Sequence, residues 1–295
     1  MTFTGTLTAL VTPFKDDAER SIDWPAYEAL CEAQVSGGVS ALVPCGTTGE
    51  SPVLEDEEQL ELVRRAAAIA KGRARVVAGT GWNSTKKTKL ASQKAVKAGA
   101  DAVMIVAPYY NKPTQAGLVE HFVAAARSVD VPVIVYNIPG RTGIDLAADS
   151  LAAIAEACPN VVATKEATGN VLRAQEIAIK LGERMTVLSG DDGLTVPMMA
   201  IGAKGVISVT SNLLPREVSE VTRLALAGQW DAARRAHLAL VPVHEVMFVE
   251  SNPAPVKAAL ALQGRMLDVV RQPLVRASDG ARSRIAKVVE AYAKR

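Results

Sequence analysis

One lysine, three tyrosines, two threonines and an arginine stand at the ends of short apolar runs in this chain, and together they have the makings of carbonyl chemistry. Lys165 closes the run Val161-Val162-Ala163-Thr164 and is followed by Glu166-Ala167-Thr168-Gly169. A short, β-branched run of that kind reads as a strand buried on both faces that leaves the core at its carboxyl end. A lysine at such an exit is either a surface residue or an amine held in apolar surroundings. In the second case lost hydration disfavours the ammonium and draws its pKa down from about 10.4. Only that kind of amine attacks a carbonyl. Attack gives a carbinolamine, loss of water gives a Schiff base, and the Schiff base makes the neighbouring carbon acidic.

Each of those steps moves a proton, so an acid–base group must stand close. Of five tyrosines, Tyr109, Tyr110 and Tyr136 fall at two predicted strand exits, a concentration that favours a proton-transfer site over three separate packing aromatics. Tyr136 ends the run just before the lysine strand and is the best placed of the three. A keto acid also needs a holder for its carboxylate. Cys45-Gly46-Thr47-Thr48-Gly49-Glu50-Ser51 sets two hydroxyls between two glycines, and such a turn presents hydroxyls and N–H groups to an anion. Read alone, it is equally a polar turn with a helix cap. Arg141, in Tyr136-Asn137-Ile138-Pro139-Gly140-Arg141-Thr142-Gly143, can pair in bidentate fashion with a second acid group. Ser189-Gly190-Asp191-Asp192 reads first as a helix cap, and the run Gly205 to Thr210 ends beside it with backbone able to line the site. Lys86-Lys87-Thr88-Lys89 reads as a solvated helix face.

The elements that must position these groups alternate. Strands are expected at 6–12, 41–45, 75–79, 102–107, 131–137, 161–165, 185–189 and 205–210. Helical patterns at 24–36, 55–71, 84–98, 115–129, 146–157, 170–181 and 193–201 lie between them. Several strands are entered through the same glycine-ended turn, in SGGVSALV, KAGADAVMIV and AIGAKGVISV. Eight strand–helix units imply parallel strands and an α/β fold, the (β/α)₈ TIM barrel, whose chemistry sits where strands end. A doubly wound open sheet is the competing topology, but the first strand–helix junction has no GxGxxG. The barrel is expected over 1–227. The remainder, 228–295, has helical composition at 229–249, 255–263 and 279–294 and reads as a C-terminal helical appendage.

Composition removes other classes. A chain of 295 residues with 49% hydrophobic and 22% charged content is ordinary for a globular enzyme, and a net charge of +2 argues for neither nucleic acid nor a membrane surface. No run of about 18 apolar residues occurs, and the first 25 residues lack a basic start followed by an apolar stretch, so a cytoplasmic location is expected. Cys31, Cys45 and Cys158 are scattered without CxxC spacing, as reduced, packed thiols are. His121, His237 and His244 are also dispersed; His237 and His244 share a helix face two turns apart, which fits satisfied helix residues better than a metal pair. No metal site is expected.

LVTPF (10–14), GTTGES (46–51), GTG (79–81), PYYNKP (108–113), YNIPGRTG (136–143), KEATGN (165–170), SGDD (189–192), GVISVTSN (205–212) and VESNPAPVK (249–257) together resemble the pyruvate-dependent Schiff-base lyase and synthase family, and within it the dihydrodipicolinate synthases. The likeness covers nearly the whole chain. It implies that Lys165 forms the Schiff base with pyruvate, and that Tyr136 relays protons with Thr47 and with Tyr110 from a neighbouring subunit across a tight dimer interface. It further implies that Thr48 helps hold the pyruvate carboxylate, that Arg141 receives the carboxylate of aspartate semialdehyde, and that backbone at Gly190 and Ile207 lies near the lysine. A homotetramer built as a dimer of dimers, no cofactor, and a place in lysine and diaminopimelate synthesis are also implied. Sialic acid (N-acetylneuraminate) lyases and the aldolases and dehydratases of keto-deoxy sugar acids share Lys165, Tyr136 and GTTGE, but Tyr109-Tyr110 and Gly140-Arg141-Thr142-Gly143 favour the synthase. From another class, a non-catalytic barrel binding keto acids leaves the lysine, tyrosine and arginine at three strand exits as coincidence. Some members are inhibited by lysine in a cleft between subunits. Here Ser51, Asn83 and Tyr109 match polar positions of that cleft, while Lys87 replaces the acidic residue and Asp56 and Gln59 stand at the histidine positions, so weak or absent feedback is expected.

Overall fold

In the computed structural model, which describes residues 2–294, eight short runs close into a ring. They are β1 (Gly5–Ala9), β2 (Ala41–Val43), β3 (Arg75–Gly79), β4 (Ala102–Val106), β5 (Val133–Asn137), β6 (Val161–Glu166), β7 (Thr186–Ser189) and β8 (Gly205–Ser208). Each strand pairs in parallel with the next and β8 returns to β1, so the sheet is a closed barrel in sequence order. The crossovers are α1 (Trp24–Ser36), α2 (Asp56–Ala70), α3 (Thr85–Lys97), α4 (Gln115–Ala126), a one-turn α5 (Pro139–Thr142), α6 (Ala148–Ala157), α7 (Val171–Leu181), α8 (Thr195–Ala200) and α9 (Pro215–Leu226). Three helices follow: α10 (Trp230–Val246), α11 (Ala254–Leu262) and α12 (Asp279–Ala293). The (β/α)₈ expectation holds. Met1 and Arg295, the outer bounds of the two expected segments, lie outside the described residues.

Strand alternation builds two layers. Leu7, Val43, Val77, Met104, Ile134, Ala163, Leu188 and Ile207 fill the barrel axis. Their neighbours Val103, Ile105, Val133, Val135, Val161 and Val187 face outward against the helices. Polar residues set the helix starts: Asp23 accepts from the N–H of Ala26, and Asn170 from that of Leu172. The first and last strands end earlier than expected, at Ala9 and Ser208. There Asn212 takes over the backbone groups, its Oδ1 accepting from Val11 N at 3.1 Å and its Nδ2 donating to the Ala9 carbonyl at 2.8 Å.

The end of β3 passes directly under the Cys45–Glu50 turn. A Cβ at Gly79 would stand 2.2 Å from the Cys45 carbonyl oxygen, closer than any real contact. Gly79→Ala is therefore expected to push the turn outward and to lower stability by about 2–3 kcal/mol, read by denaturant unfolding.

Apolar packing runs without a break from the first strands into the C-terminal helices. Leu10, Val11, Phe14 and Leu30 belong to one cluster with Val243, Met247, Val256, Leu260, Val270 and Ile285. Among the described residues, no helix is long and apolar enough to cross a membrane.

Candidate active site

At the carboxyl ends of β4 to β7 one level of residues runs across the barrel. Val106 is registered with Tyr136, Tyr136 with Lys165, and Lys165 with Leu188. Lys165 lies two residues beyond the inward-facing Ala163, so it shares the axial face with Tyr136 and Leu188. Its side chain is not bathed in solvent: Lys165 is 5% exposed and Tyr136 4%. The Lys165 Nζ stands 4.1 Å from the centroid of the Tyr136 ring. The fold thus brings the amine against the face of the phenol ring.

Glu166, the acid next to the lysine, is turned to other work. Its Oε1 accepts from Thr168 N at 2.8 Å and its Oε2 from Asn137 Nδ2 at 3.3 Å. Burial pushes the Glu166 carboxyl above its usual range, and the hydrogen bonds from Thr168 and Asn137 oppose the rise. Asn137 also donates to Asp145 Oδ1 at 2.8 Å and accepts from Leu146 N at 3.1 Å, which ties the ends of β5 and β6 together. Gly190 N donates to the Glu166 carbonyl at 2.8 Å, and a Cβ there would stand 2.5 Å from that of Ala167, so only glycine fits against the lysine strand. Ile207 is buried in the axial layer one strand further on. Gly190 and Ile207 each follow one member of the registered pair Ser189–Val206.

The turn between β2 and α2 is not a helix cap. Helix α2 has its own capping box from Glu55 and Glu58, and the turn is folded on itself. Thr12 Oγ1 donates to the Gly49 carbonyl at 2.7 Å, and Glu50 N to that of Thr47 at 3.1 Å. Thr48 is buried, its Oγ1 accepting from Asn252 Nδ2 at 3.0 Å. Thr47 lines a cleft of about 160 Å³ together with Ser51, Tyr109, Ile138, Arg141 and Thr142. Val106, one strand from Tyr136, lines it too. Burial pushes the Tyr109 phenol above its usual value, against a hydrogen bond from the Asn83 backbone. Arg141, on α5, is exposed, and its Nη2 donates to the Asn252 carbonyl at 3.4 Å. A cation so placed, beside two threonine hydroxyls, suits an acid group entering from solvent.

Tyr110 is the predicted site residue that a single chain does not bring in. It is 88% exposed and its backbone is left-handed, φ +75. Asp191 does what a cap does, accepting from Gly193 N at 2.9 Å. Asp192 does more. It accepts from Ser208 Oγ at 2.5 Å, Val209 N at 2.8 Å and Thr210 N at 3.1 Å, locking the β7 exit to that of β8. His237 Nε2 meets the Gly193 carbonyl at 3.1 Å and His244 Nδ1 meets Thr210 Oγ1 at 2.9 Å, so the two histidines pin α10 to those same exits. Lys86, Lys87 and Lys89 are exposed as expected, whereas Thr88 between them is buried and bonded to Trp82. Burial holds the thiols of Cys31 and Cys45 at about 12, which makes them packing groups and not nucleophiles.

Sequence reasoning missed Asn137, Glu50, Asn252 and Lys257 as members of the site's frame. The signal was present: each is a polar residue inside an apolar or motif context, and a lysine within APVKAALAL has no amphipathic explanation.

The Dihydrodipicolinate synthetase family model matches residues 2–292. A 4-hydroxy-tetrahydrodipicolinate synthase of Sorangium cellulosum (strain So ce56) is 59% identical over 285 residues, 97% of this chain and 94% of that protein. The crystal structure of dihydrodipicolinate synthase from Aquifex aeolicus superposes with a TM-score of 0.96 at 45% identity, covering 99% of this chain and 98% of that one. A monomeric dihydrodipicolinate synthase variant has a TM-score of 0.96 at 38% identity, covering 99% and 97%. With a family match over nearly every residue, relatives this close, and a buried amine and phenol level with one another at the barrel mouth, the chain belongs to the dihydrodipicolinate synthetase family.

Proposed function

We propose that this protein condenses pyruvate with L-aspartate 4-semialdehyde to 4-hydroxy-tetrahydrodipicolinate, the first committed step toward diaminopimelate and lysine. The observation that carries the reading is Lys165, buried at the end of β6 with its Nζ 4.1 Å from the Tyr136 ring. The Lys165 amine adds to C2 of pyruvate, and the carbinolamine loses water to a protonated imine. That imine accepts the electrons released when a C3 proton leaves, giving an enamine. The enamine carbon then bonds to the aldehyde carbon of the semialdehyde, whose oxygen takes up a proton. The substrate's own amino group next adds to the imine carbon and expels Lys165, so one water is lost overall and the lysine is regenerated.

Tyr136, helped by Thr47 and by Tyr110 of a neighbouring copy, passes these protons. Thr48 and the N–H groups of its turn hold the pyruvate carboxylate, Arg141 receives that of the semialdehyde, and the backbone of Gly190 and Ile207 closes the site beside the lysine. The exposed Arg141 at the cleft supports an acidic second substrate over the polyhydroxylated chains of the sugar-acid lyases. Sodium borohydride with pyruvate should leave a covalent adduct on the peptide containing Lys165. No adduct, or one on another lysine, sinks the proposal, and a keto-acid binder without chemistry gives none.

In this proposal the barrel, 1–227, is the catalytic domain and the helical segment, 228–295, a subdomain that shares its core; closure of the ring by β8, with α9 behind it, supports the boundary. A homotetramer in the cytoplasm is part of the same reading. The phenol of Tyr110, exposed on the rim, is what a second copy would take up.

Feedback by lysine is expected to be weak or absent. Asp56, Gln59, Trp82, Lys87 and Lys94 line a cleft of about 300 Å³ between α2 and α3. Asp56 is already paired with Lys94 at 2.8 Å, and Gln59 Nε2 donates to the carbonyls of Ser51 and Leu54. A diamino acid entering there meets ammonium groups with no free carboxylate in reach. Initial rates with and without lysine check this, and half-inhibition at sub-millimolar lysine contradicts it.

A further inference from the structure

We propose that Asn252 and Lys257 are positioning residues that latch the Thr47–Glu50 turn, and with it the Thr48 hydroxyl and N–H groups that hold pyruvate, from the C-terminal segment. The inference rests on the pyruvate reading above. The turn does not hold its shape unaided, because Cys45 and Glu50 both sit in the left-handed region, φ +58 and +57, which L side chains enter only under constraint. The constraint at Glu50 is visible. Its Oε1 accepts from Lys257 Nζ at 2.5 Å and its Oε2 from Arg271 N at 2.9 Å. The Glu50 backbone N–H in turn donates to the Thr47 carbonyl at 3.1 Å, so a shift of Glu50 is felt at Thr47.

The Lys257 and Glu50 side chains are both 0% exposed. Lys257 Nζ also donates to the Val269 carbonyl at 2.8 Å and lies 4.2 Å from the centre of the Phe14 ring. Burial draws the Lys257 ammonium down to about 8, with the Glu50 carboxylate opposing the fall. Taking two charges fully out of water costs more than their attraction commonly returns, so an apolar pair of the same shape would serve stability as well or better. What the ion pair adds is direction: it fixes where the Glu50 carboxylate, and hence the turn, must lie.

The second point of the latch is Asn252. Its Nδ2 donates to Thr48 Oγ1 at 3.0 Å, while its backbone carbonyl accepts from Arg141 Nη2 at 3.4 Å. Its Oδ1 is buried without a hydrogen-bond partner. Asn252 and Lys257 stand at the two ends of one turn, joined by the bond from Lys257 N to the Pro253 carbonyl at 3.0 Å. One short stretch therefore grips Thr48 and Glu50 at a fixed spacing. It touches both carboxylate-receiving groups of the proposed site while remaining outside the reaction.

The test uses the full chain. Lys257→Met leaves the Glu50 carboxylate buried with the Arg271 N–H but without its ammonium partner, and Lys257→Met/Glu50→Gln removes both charges. KM for pyruvate is expected to rise about tenfold in both, with kcat, which feels only the shift passed on to Thr47, falling by less than KM rises. The double variant should regain most of the thermal midpoint that the single one loses, yet keep the raised KM. If KM recovers along with the midpoint, or rises less than about threefold in either variant, the pair is purely structural and the proposal fails. Asn252→Ser, which leaves the buried charges untouched, decides the matter if neither lysine variant folds, by the same threshold. A parent enzyme that gives no borohydride adduct on Lys165 sinks the pyruvate reading. A parent that is trapped, with variants that keep their KM, sinks only the latch.

Discussion

Lys165→Ala is expected to lower turnover by about 10⁴-fold or more and to abolish borohydride trapping with pyruvate, because no other group in the site can form the covalent intermediate. Two other lysines named near the site's frame and rim are of the wrong kind. Lys257 is committed to Glu50 and the Val269 carbonyl, and Lys112 stands exposed on the rim. The ladder bonds of Lys165 to β5 and β7 run through its backbone, which alanine keeps, and its side chain lies against the Tyr136 ring. Alanine should therefore leave a folded, inactive barrel whose thermal midpoint stays near that of the parent. Residual turnover within about tenfold of the parent would mean that the chemistry does not pass through this amine.

The second large effect concerns one oxygen atom. Tyr136→Phe keeps the ring over which the Lys165 amine sits and deletes only the hydroxyl, so substrate binding should change little while kcat falls by about 10²- to 10³-fold. Trapping should still label Lys165, only more slowly, since an imine forms without its proton relay but sluggishly. Equal kcat for Phe and Tyr at position 136 would assign the phenol to packing alone and shift the acid–base role to Thr47 or Tyr110.

Most of the barrel was readable because its signals are local. The runs Ala102–Val106 and Val161–Ala163 are continuous and apolar, and glycine stands between helix and strand ahead of β4, which is enough to set strand, turn and order. The lysine and Tyr136 were readable for the same reason: each marks a strand end, and consecutive parallel strands in a barrel place their ends side by side. What was not legible depends on contacts between distant parts of the chain. Nothing near Glu50 announces that its partner lies 207 positions away. The reading of residues after 227 as an appendage saw helical composition but not that Val256 and Leu260 share a core with Leu10 and Phe14. Asp191 and Asp192 read alike as cap residues, because a sequence cannot distinguish an aspartate that caps from one that collects two backbone N–H groups from the next strand's exit.

That distance between the two halves of the latch bears on how the protein is made. On the reading proposed above, the β2–α2 turn is made early and Lys257 late, so a nascent barrel has the strand of Lys165 well before anything can fasten the turn proposed to hold the substrate carboxylate. On the latch reading, a chain made only as far as α10 carries Lys165 but not the residue that holds Glu50 in place, so its pocket for an acid stays unfinished.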